Sequence, residues 1–309
     1  MKFVIQLLIC ILIFTQNVMA QLSRDAIFAF SNQNLTLSAS LTKYDTSHSN
    51  AVVNRLEIPL NEENTIVTFG ESKWNVKTDI QANTQHSGRY DVRLTFNCVS
   101  GNSPASSVSL NLDFTNWSTQ NYVLMPAAVY NGNRVKSQRH NYCPFWFDTN
   151  DVGIDKPQLI SDVPRLNIAK GPSRIQQRTG DMSTPAIGFH DPSANQGFWM
   201  LTNQETRLGD SGIDILESDD RSEARISITA PVVRELHQYF IADMQAPTTD
   251  KPANFKAGDS ITMEVQLFLF NSPDVQSLFD YFSTIRNSLI PKGNSVNVIP
   301  FSFAFSIQE

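Results

Sequence analysis

Cysteine is scarce in this chain. Three occur in 309 residues, at Cys10, Cys98 and Cys143, and the first falls in an N-terminal leader. A pair of thiols does not build a disulfide scaffold, so the fold has to rest on a hydrophobic core. The 41% of apolar residues, over this length, suffices for one. In an oxidising compartment Cys98 and Cys143 could pair or stay as two buried thiols, and their spacing does not decide between these states.

Long apolar runs are missing after the first twenty residues, and a membrane-spanning helix needs about 20. Met1 to Ala20 has one cation, Lys2, an apolar run from Phe3 to Phe14 and the ending Val18-Met19-Ala20. This is the pattern of a secretory signal peptide cleaved near Ala20, which implies an extracellular or periplasmic protein. Its apolar core is short for an anchor. Leu7-Leu8-Ile9 stands before Cys10 where a lipid-attachment signal wants a small residue.

Blocks of like charge are also missing. The net charge is −6, or −7 once Lys2 leaves with the signal peptide. Nothing forms a basic track for nucleic acid or a polybasic membrane face, so a neutral polymer is the expected partner. The five histidines, His48, His86, His140, His190 and His237, are far apart, and no metal site or cofactor is expected from them. Asp148 to Asp155 has the density of acids of a calcium loop, but Val152 and Leu159 occupy positions that would have to be ligands, and the segment reads as a solvated turn. No nucleophile elbow or phosphate-cradling glycine loop is present. Asn34-Leu35-Thr36 and Asn116-Trp117-Ser118 match the N-glycosylation pattern.

The chain is rich in alternation. Tyr90, Val92, Leu94, Phe96 and Cys98 take every second position, as do Leu35 to Leu41, Trp74 to Ile80, Val108 to Phe114 and Ile261 to Leu269. Half-buried strands follow from this period. Further strands are expected near 52–60, 66–70, 122–130, 186–190, 198–202 and 223–230. Turn clusters such as Asn131-Gly132-Asn133 and Gly209-Asp210-Ser211-Gly212 separate them. No helical period appears before Ser272, which excludes a parallel α/β fold. The expectation is an all-β protein: a large two-sheet antiparallel sandwich over 21–271, or two smaller ones. One amphipathic linker helix over 272–290 follows, and 291–309 is extended.

That helix has Ser272 as its expected cap, Pro273 at the first position, and Val275, Leu278, Phe279, Phe282, Ile285 and Leu289 on one face. The apolar run Phe301, Phe303, Phe305, Ile307 at the end of the chain is unusual for a free tail. Together they predict a docking surface for a partner domain.

Two segments have the composition of a carbohydrate cleft, in which flat rings stack on sugar faces and polar side chains bind hydroxyls. The first runs from Tyr122 through Tyr130, Asn131 and Arg134 to Trp146. The second pairs a loop at 174–181, with Arg178 and Asp181, with Glu205 and Asp210. Asp181, Glu205 and Asp210 are also of the type that glycoside hydrolysis employs in pairs, although sequence supplies no distance between them.

The order of parts resembles secreted six-hairpin glycosidases related to glucoamylase and maltose phosphorylase, in which a β-supersandwich precedes a linker helix and an (α/α)6 toroid. A similar sandwich occurs in polysaccharide lyases and galactose mutarotases. The resemblance lies in Tyr122–Arg134, in Gly180-Asp181-Met182-Ser183-Thr184-Pro185 and in the segment from Ile299-Pro300-Phe301-Ser302 to Ile307-Gln308-Glu309. It implies a mutarotase-like supersandwich and a glycan ligand. It also implies a glycoside hydrolase parent whose helical catalytic domain is a partner absent from this chain. A complete glycan-binding protein and a mutarotase-like enzyme are the alternatives. No catalytic residue transfers, because in such enzymes the acid and base belong chiefly to the toroid.

Overall fold

A computed structural model describes residues 34–45, 50–84, 86–134, 137–138, 158–159, 164–168, 170–171, 173–235, 240–241, 244–245 and 249–288. The leader, Cys143, Trp146, the acidic turn at 148–155 and the C-terminal segment 291–309 lie outside them. In chain order the principal strands are β1 (Leu35–Tyr44), β2 (Val52–Pro59), β3 (Asn64–Phe69), β4 (Ser72–Ala82), β5 (Arg89–Ser100) and β6 (Asn102–Phe114). They continue as β7 (Tyr122–Met125), β8 (Val129–Tyr130), β9 (Ser173–Arg178), β10 (Ala186–Asp191) and β11 (Gln196–Thr202). The series closes with β12 (Gly212–Glu217), β13 (Ala224–Ala230), β14 (Ala253–Lys256), β15 (Ser260–Asn271) and the helix α1 (Val275–Ile285).

These strands form two antiparallel sheets. Sheet one has the order β9-β12-β13-β6-β1-β2, with β14 also on β6. Strand β13 pairs with the Val108–Phe114 half of β6, and β14 with its Asn102–Ser106 half. Sheet two has the order β3-β4-β5-β15-β11-β10-β7-β8. Alternation decides the layering. Val108, Leu110, Leu112 and Phe114 of β6 point to the same buried cluster as Val92, Leu94 and Phe96 of β5 and Ile261, Met263 and Val265 of β15. One core therefore fills the space between the sheets, and the expected all-β sandwich is what the chain forms.

Two local expectations are corrected. The segment 174–181 is strand β9 up to Arg178, with only a short turn at Thr179–Asp181. Its alternation is polar against apolar around a single Ile175, too short a signal to separate from a loop. The helix is capped by Asp274, whose Oδ1 accepts from the Ser277 amide at 2.8 Å and hydroxyl at 2.6 Å. Both bonds hold its carboxyl below the ordinary range. Ser272 instead lies fully buried before the cap and donates to the Asp274 carbonyl.

The helix face is also occupied within the chain, which overturns its reading as a docking surface. Leu278 and Ile285 pack in a second cluster with Leu124, Trp199, Leu201 and Phe268, on the outer side of sheet two. The Trp199 indole N–H donates to the Leu278 carbonyl at 3.1 Å, and its ring lies 4.6 Å from Phe282. Tyr281 stacks on Phe270 at 3.8 Å. Gly188, opposite Trp199 in the register, makes room for this indole. A Cβ there would stand 2.5 Å from Trp199 Cδ2 and 2.6 Å from the Phe198 carbonyl oxygen.

Trp199→Ala is expected to lower unfolding stability by about 3–5 kcal/mol in a urea titration, because it empties the helix seat. Gly188→Ala should lower it in the same direction, since backbone atoms at that distance cannot move aside cheaply. A Gly188→Ala protein as stable as the parent would refute this account of the seat.

Candidate functional site

The alternation that turns apolar residues of sheet one inward turns polar residues outward, and these form an ordered lattice. One row across the strands is Ser40, Ser109 and Thr229; the next is Ser38, Asn111, Ser227, Asp214 and Gln176. A third holds Asp113 and Arg225. Several of these are fully withdrawn from water: Ser40 and Asn111 are 0% exposed and Ser109 1%. Buried polar groups must find partners, and most of these do. Asn111 donates to Glu57 at 3.1 Å and accepts from Ser227 at 2.9 Å. Ser109 and Thr229 share a bond of 3.1 Å. Arg225 reaches Asp113 and Glu57, each at 2.6 Å.

At one side of this face the segment after β13 folds back and makes a cleft. Val232 seats against Gly212, and the Glu235 amide donates to Gln176 Oε1 at 3.1 Å. Thr42, Tyr44, Arg174, Gln176 and Asp214 are among the residues that line the cleft. It encloses about 40 Å³, room for roughly three waters. Arg174 is bonded to Asp214 through two nitrogens and to Glu235 at 3.0 Å. Burial works against its charge, but the two carboxylates outweigh burial and hold the guanidinium above its ordinary pKa. Burial likewise raises the Tyr44 phenol, whose hydroxyl shares a 2.8 Å bond with Ser107. Thr42 Oγ1 and Asp214 Oδ1 have no hydrogen-bond partner among the described residues. An orphaned oxygen in a polar cleft is a place where water or a ligand hydroxyl completes the network.

Of the residues chosen from sequence, three come together. Arg178 donates to both oxygens of Asp181, at 2.8 and 3.2 Å, and lies 3.8 Å from Asp210. Arg234, which lines the cleft, is 3.6 Å from Asp181 and chelates Asp250. Arg234 thus links this cluster to the lining of the cleft, and the bond to Asp181 raises the Arg178 pKa. Glu205 is exposed on the Glu205–Asp210 hairpin and faces Asp210 only through backbone pairing. Tyr130 is 49% exposed at the tip of β8, beside the left-handed turn Asn131–Asn133. Trp146 lies outside the described residues, as does Cys143. Cys98 is a buried thiol whose pKa is pushed up by that burial.

Arg134 requires a correction. Its side chain, 5% exposed, is spent on the fully buried carboxylate of Glu217 and so is unavailable to a sugar. Sequence missed Glu217 itself, which receives Trp117 Nε1 at 2.7 Å and Ser173 Oγ at 2.6 Å and faces Arg221 at 3.5 Å. Nothing in the spacing marks it, because its four partners come from 117, 134, 173 and 221. The cleft residues Thr42, Tyr44 and Asp214 were missed for a related reason: they read as the solvent side of ordinary strands. The available signal was hydroxyl density at alternate positions of β1 and β6, Ser38-Ser40-Thr42 against Ser107-Ser109-Asn111.

Among the described residues no helix is long and apolar enough to cross a membrane, and no three potential metal ligands cluster. No protein-family model and no curated protein matches the chain. Solved structures do. A galactose mutarotase-like protein from Lactobacillus casei aligns at 9% identity and TM-score 0.38, over 76% of this chain and 85% of its own. A galactose mutarotase related enzyme from Lactobacillus acidophilus aligns at 10% identity and TM-score 0.37, over 69% and 73%. An α-N-acetylgalactosaminidase from Bifidobacterium bifidum aligns at 9% identity and TM-score 0.23, over 83% and 38%. At these values the likeness transfers neither a family nor a residue role.

Glu217→Gln keeps the shape but removes the charge facing Arg134 and Arg221. It is expected to cost about 3–5 kcal/mol in chemical denaturation, as for other broken buried ion pairs. A cost near zero would show that Glu217 is not what holds the 131–134 turn to β12.

Proposed function

We propose that this chain is a secreted carbohydrate-binding sandwich, the sugar-recognition part of a glycan-degrading system of the glycoside hydrolase kind, with the polar face of sheet one as its site. The observation that carries the reading is the lattice of buried hydroxyl and amide groups, edged by part-exposed arginine–carboxylate pairs, that ends at Thr42 Oγ1, which has no partner among the described residues. A fold needing only stability would cover that face with apolar side chains, since buried polar groups contribute little net energy even when satisfied. Sugar hydroxyls donate and accept at once, and a surface of paired donors and acceptors exchanges water for them at low cost. The cleft admits one hydroxyl or hydroxymethyl arm, while the ring lies across the mouth.

A mutarotase-like activity is the second reading, favoured by one feature: two carboxylates, Asp214 and Glu235, meet on Arg174 within the cleft. Ring opening and closure of an aldose needs an acid and a base on opposite sides of the sugar, and carboxyl groups can serve as both.

Calorimetry with a panel of neutral oligosaccharides tests the binding reading. Arg174→Ala is expected to weaken the sugar that binds by roughly tenfold or more, equal to about 1.4 kcal/mol or more. Thr42→Val is expected to weaken it while leaving the melting temperature unchanged or raised, because the lost hydroxyl has no partner among the described residues. Absence of binding to every neutral glycan, or binding indifferent to both variants, would refute the proposal. Polarimetry on freshly dissolved aldoses separates the second reading: catalysed mutarotation abolished in Asp214→Asn supports it, and an unchanged spontaneous rate rejects it.

A further inference from the structure

A second cavity, larger than the cleft, opens at one end of the sandwich between the two sheets, where β1 begins and β6 ends. Its volume is about 300 Å³, within the range of small-molecule sites. The walls are aromatic. Phe114 comes from sheet one, Phe189 and Phe198 from sheet two, and Trp117 from the loop after β6. These rings hold one another in place: Phe189 stacks on Phe198 at 5.4 Å, and Phe114 and Trp117 meet Phe189 edge to face at 5.1 and 4.8 Å. Trp117 is further fixed by its bond to Glu217, so the wall is rigid before anything binds.

The remaining lining is largely polar, with no cation among the described residues that form it. Asn34, Asn116, Asn121, Asp191 and Gln196 belong to it, together with Ala194 of the turn before β11 and Gly197 near the start of that strand. Asn121 is 2% exposed, and its Oδ1 has no hydrogen-bond partner among the described residues. A buried acceptor left open on a cavity wall calls for a donor from the occupant. Asp191 gives one oxygen to the amide and hydroxyl of Ser193, at 2.8 and 2.6 Å, and adds negative charge at the mouth. Anions are therefore disfavoured, and a compact body with an apolar face and donor groups at its edge is favoured. None of these residues belongs to the cleft on sheet one.

We propose that this cavity is a second, independent ligand site that takes one ring of a neutral sugar, its C–H face on the aromatic wall and a hydroxyl donating to Asn121 Oδ1. The occupant is distinguished from an organic cation, which aromatic walls also attract, by its neutrality, and from an acidic sugar by the negative charge of Asp191 in the lining.

The test is a titration of the purified chain with glucose, galactose, mannose and N-acetylglucosamine, followed by Trp117 fluorescence and by calorimetry. Glucuronic acid and tetramethylammonium serve as the charged comparisons, and a Trp117→Phe protein identifies the signal. The expected result is a saturable response to at least one neutral sugar, lost in Trp117→Phe fluorescence, and at least tenfold weaker binding in Asn121→Leu without loss of melting temperature. If Asn121→Leu does not fold, Ala194→Trp on the exposed turn should block the mouth and remove binding. The response should survive Arg174→Ala, which sets this site apart from the cleft. No response to any neutral sugar, a response to tetramethylammonium alone, or binding unaffected by Ala194→Trp overturns the proposal.

Discussion

The period of two along β6 governs the molecule. This strand lies between β1 on one edge and β13 and β14 on the other, so both its edges are paired. Val108, Leu110, Leu112 and Phe114 must meet sheet two, and that obliges Ser107, Ser109, Asn111 and Asp113 to lie opposite. A shift of register by one residue would exchange the two sets and put a run of polar groups into the main core, which the burial energies forbid. The hydrophobic core thus fixes the position of every side chain in the polar lattice. The site needs no separate device to hold it in place.

Three features stiffen the margins of this arrangement. The Glu217 carboxylate ties the loop after β6, the 131–134 turn and the start of β9 to the end of β12, bringing three distant stretches of chain to one point. Arg234 and Asp250 tie the segment after β13 to the approach to β14. Helix α1 covers the outer side of sheet two through Trp199 and Leu278. Each is an interaction whose partners are useless alone. A lone Glu217 in that position would carry the full penalty of an unpaired buried charge. Such sites therefore form together or not at all, which makes the end of the sandwich near Trp117 a preorganised surface rather than a pliable one.

How much of this was legible follows from the same physics. Long alternating strands were readable because each carries four or five apolar positions at fixed phase, as in Tyr90 to Cys98 and Ile261 to Leu269. β9 was not, since Ser173–Arg178 offers a single strong apolar residue. The helix was readable from its face, but the object it packs on was not. Periodicity says that a face is buried without saying where, and the seat is built from Leu124, Trp199 and Phe268, far away in sequence. Arg178, Asp181 and Asp210 were recognisable as chemistry and did assemble. Arg134 was misjudged for the opposite reason: its partner Glu217 is 83 positions away, and an arginine in a turn-rich segment looks exposed until that partner is known. Thr42 and Asp214 were invisible because a polar residue on an alternating strand is assigned to solvent by default, and only the fold reveals that Thr42 is buried and Asp214 largely so.

The charges of the lattice restrict what the cleft can accept. Arg225 is shared between Asp113 and Glu57, Arg55 lies 3.2 Å from Glu57, and Arg174 is shared between Asp214 and Glu235. Three guanidinium groups therefore face four carboxylates, and no cation in the set is left over to receive an acidic ligand. An anionic polymer would have to break one of these pairs and leave a carboxylate without its cation, and because the pairs are about a third exposed each such exchange costs only about 1 kcal/mol or less. A neutral ligand needs no such exchange, because its hydroxyls can add to the oxygens that already accept from arginine. The overall negative charge of the chain acts at long range in the same direction. For the proposed site, local pairing and net charge thus both favour an uncharged ligand rich in donors, and they do so through residues that the core has already placed.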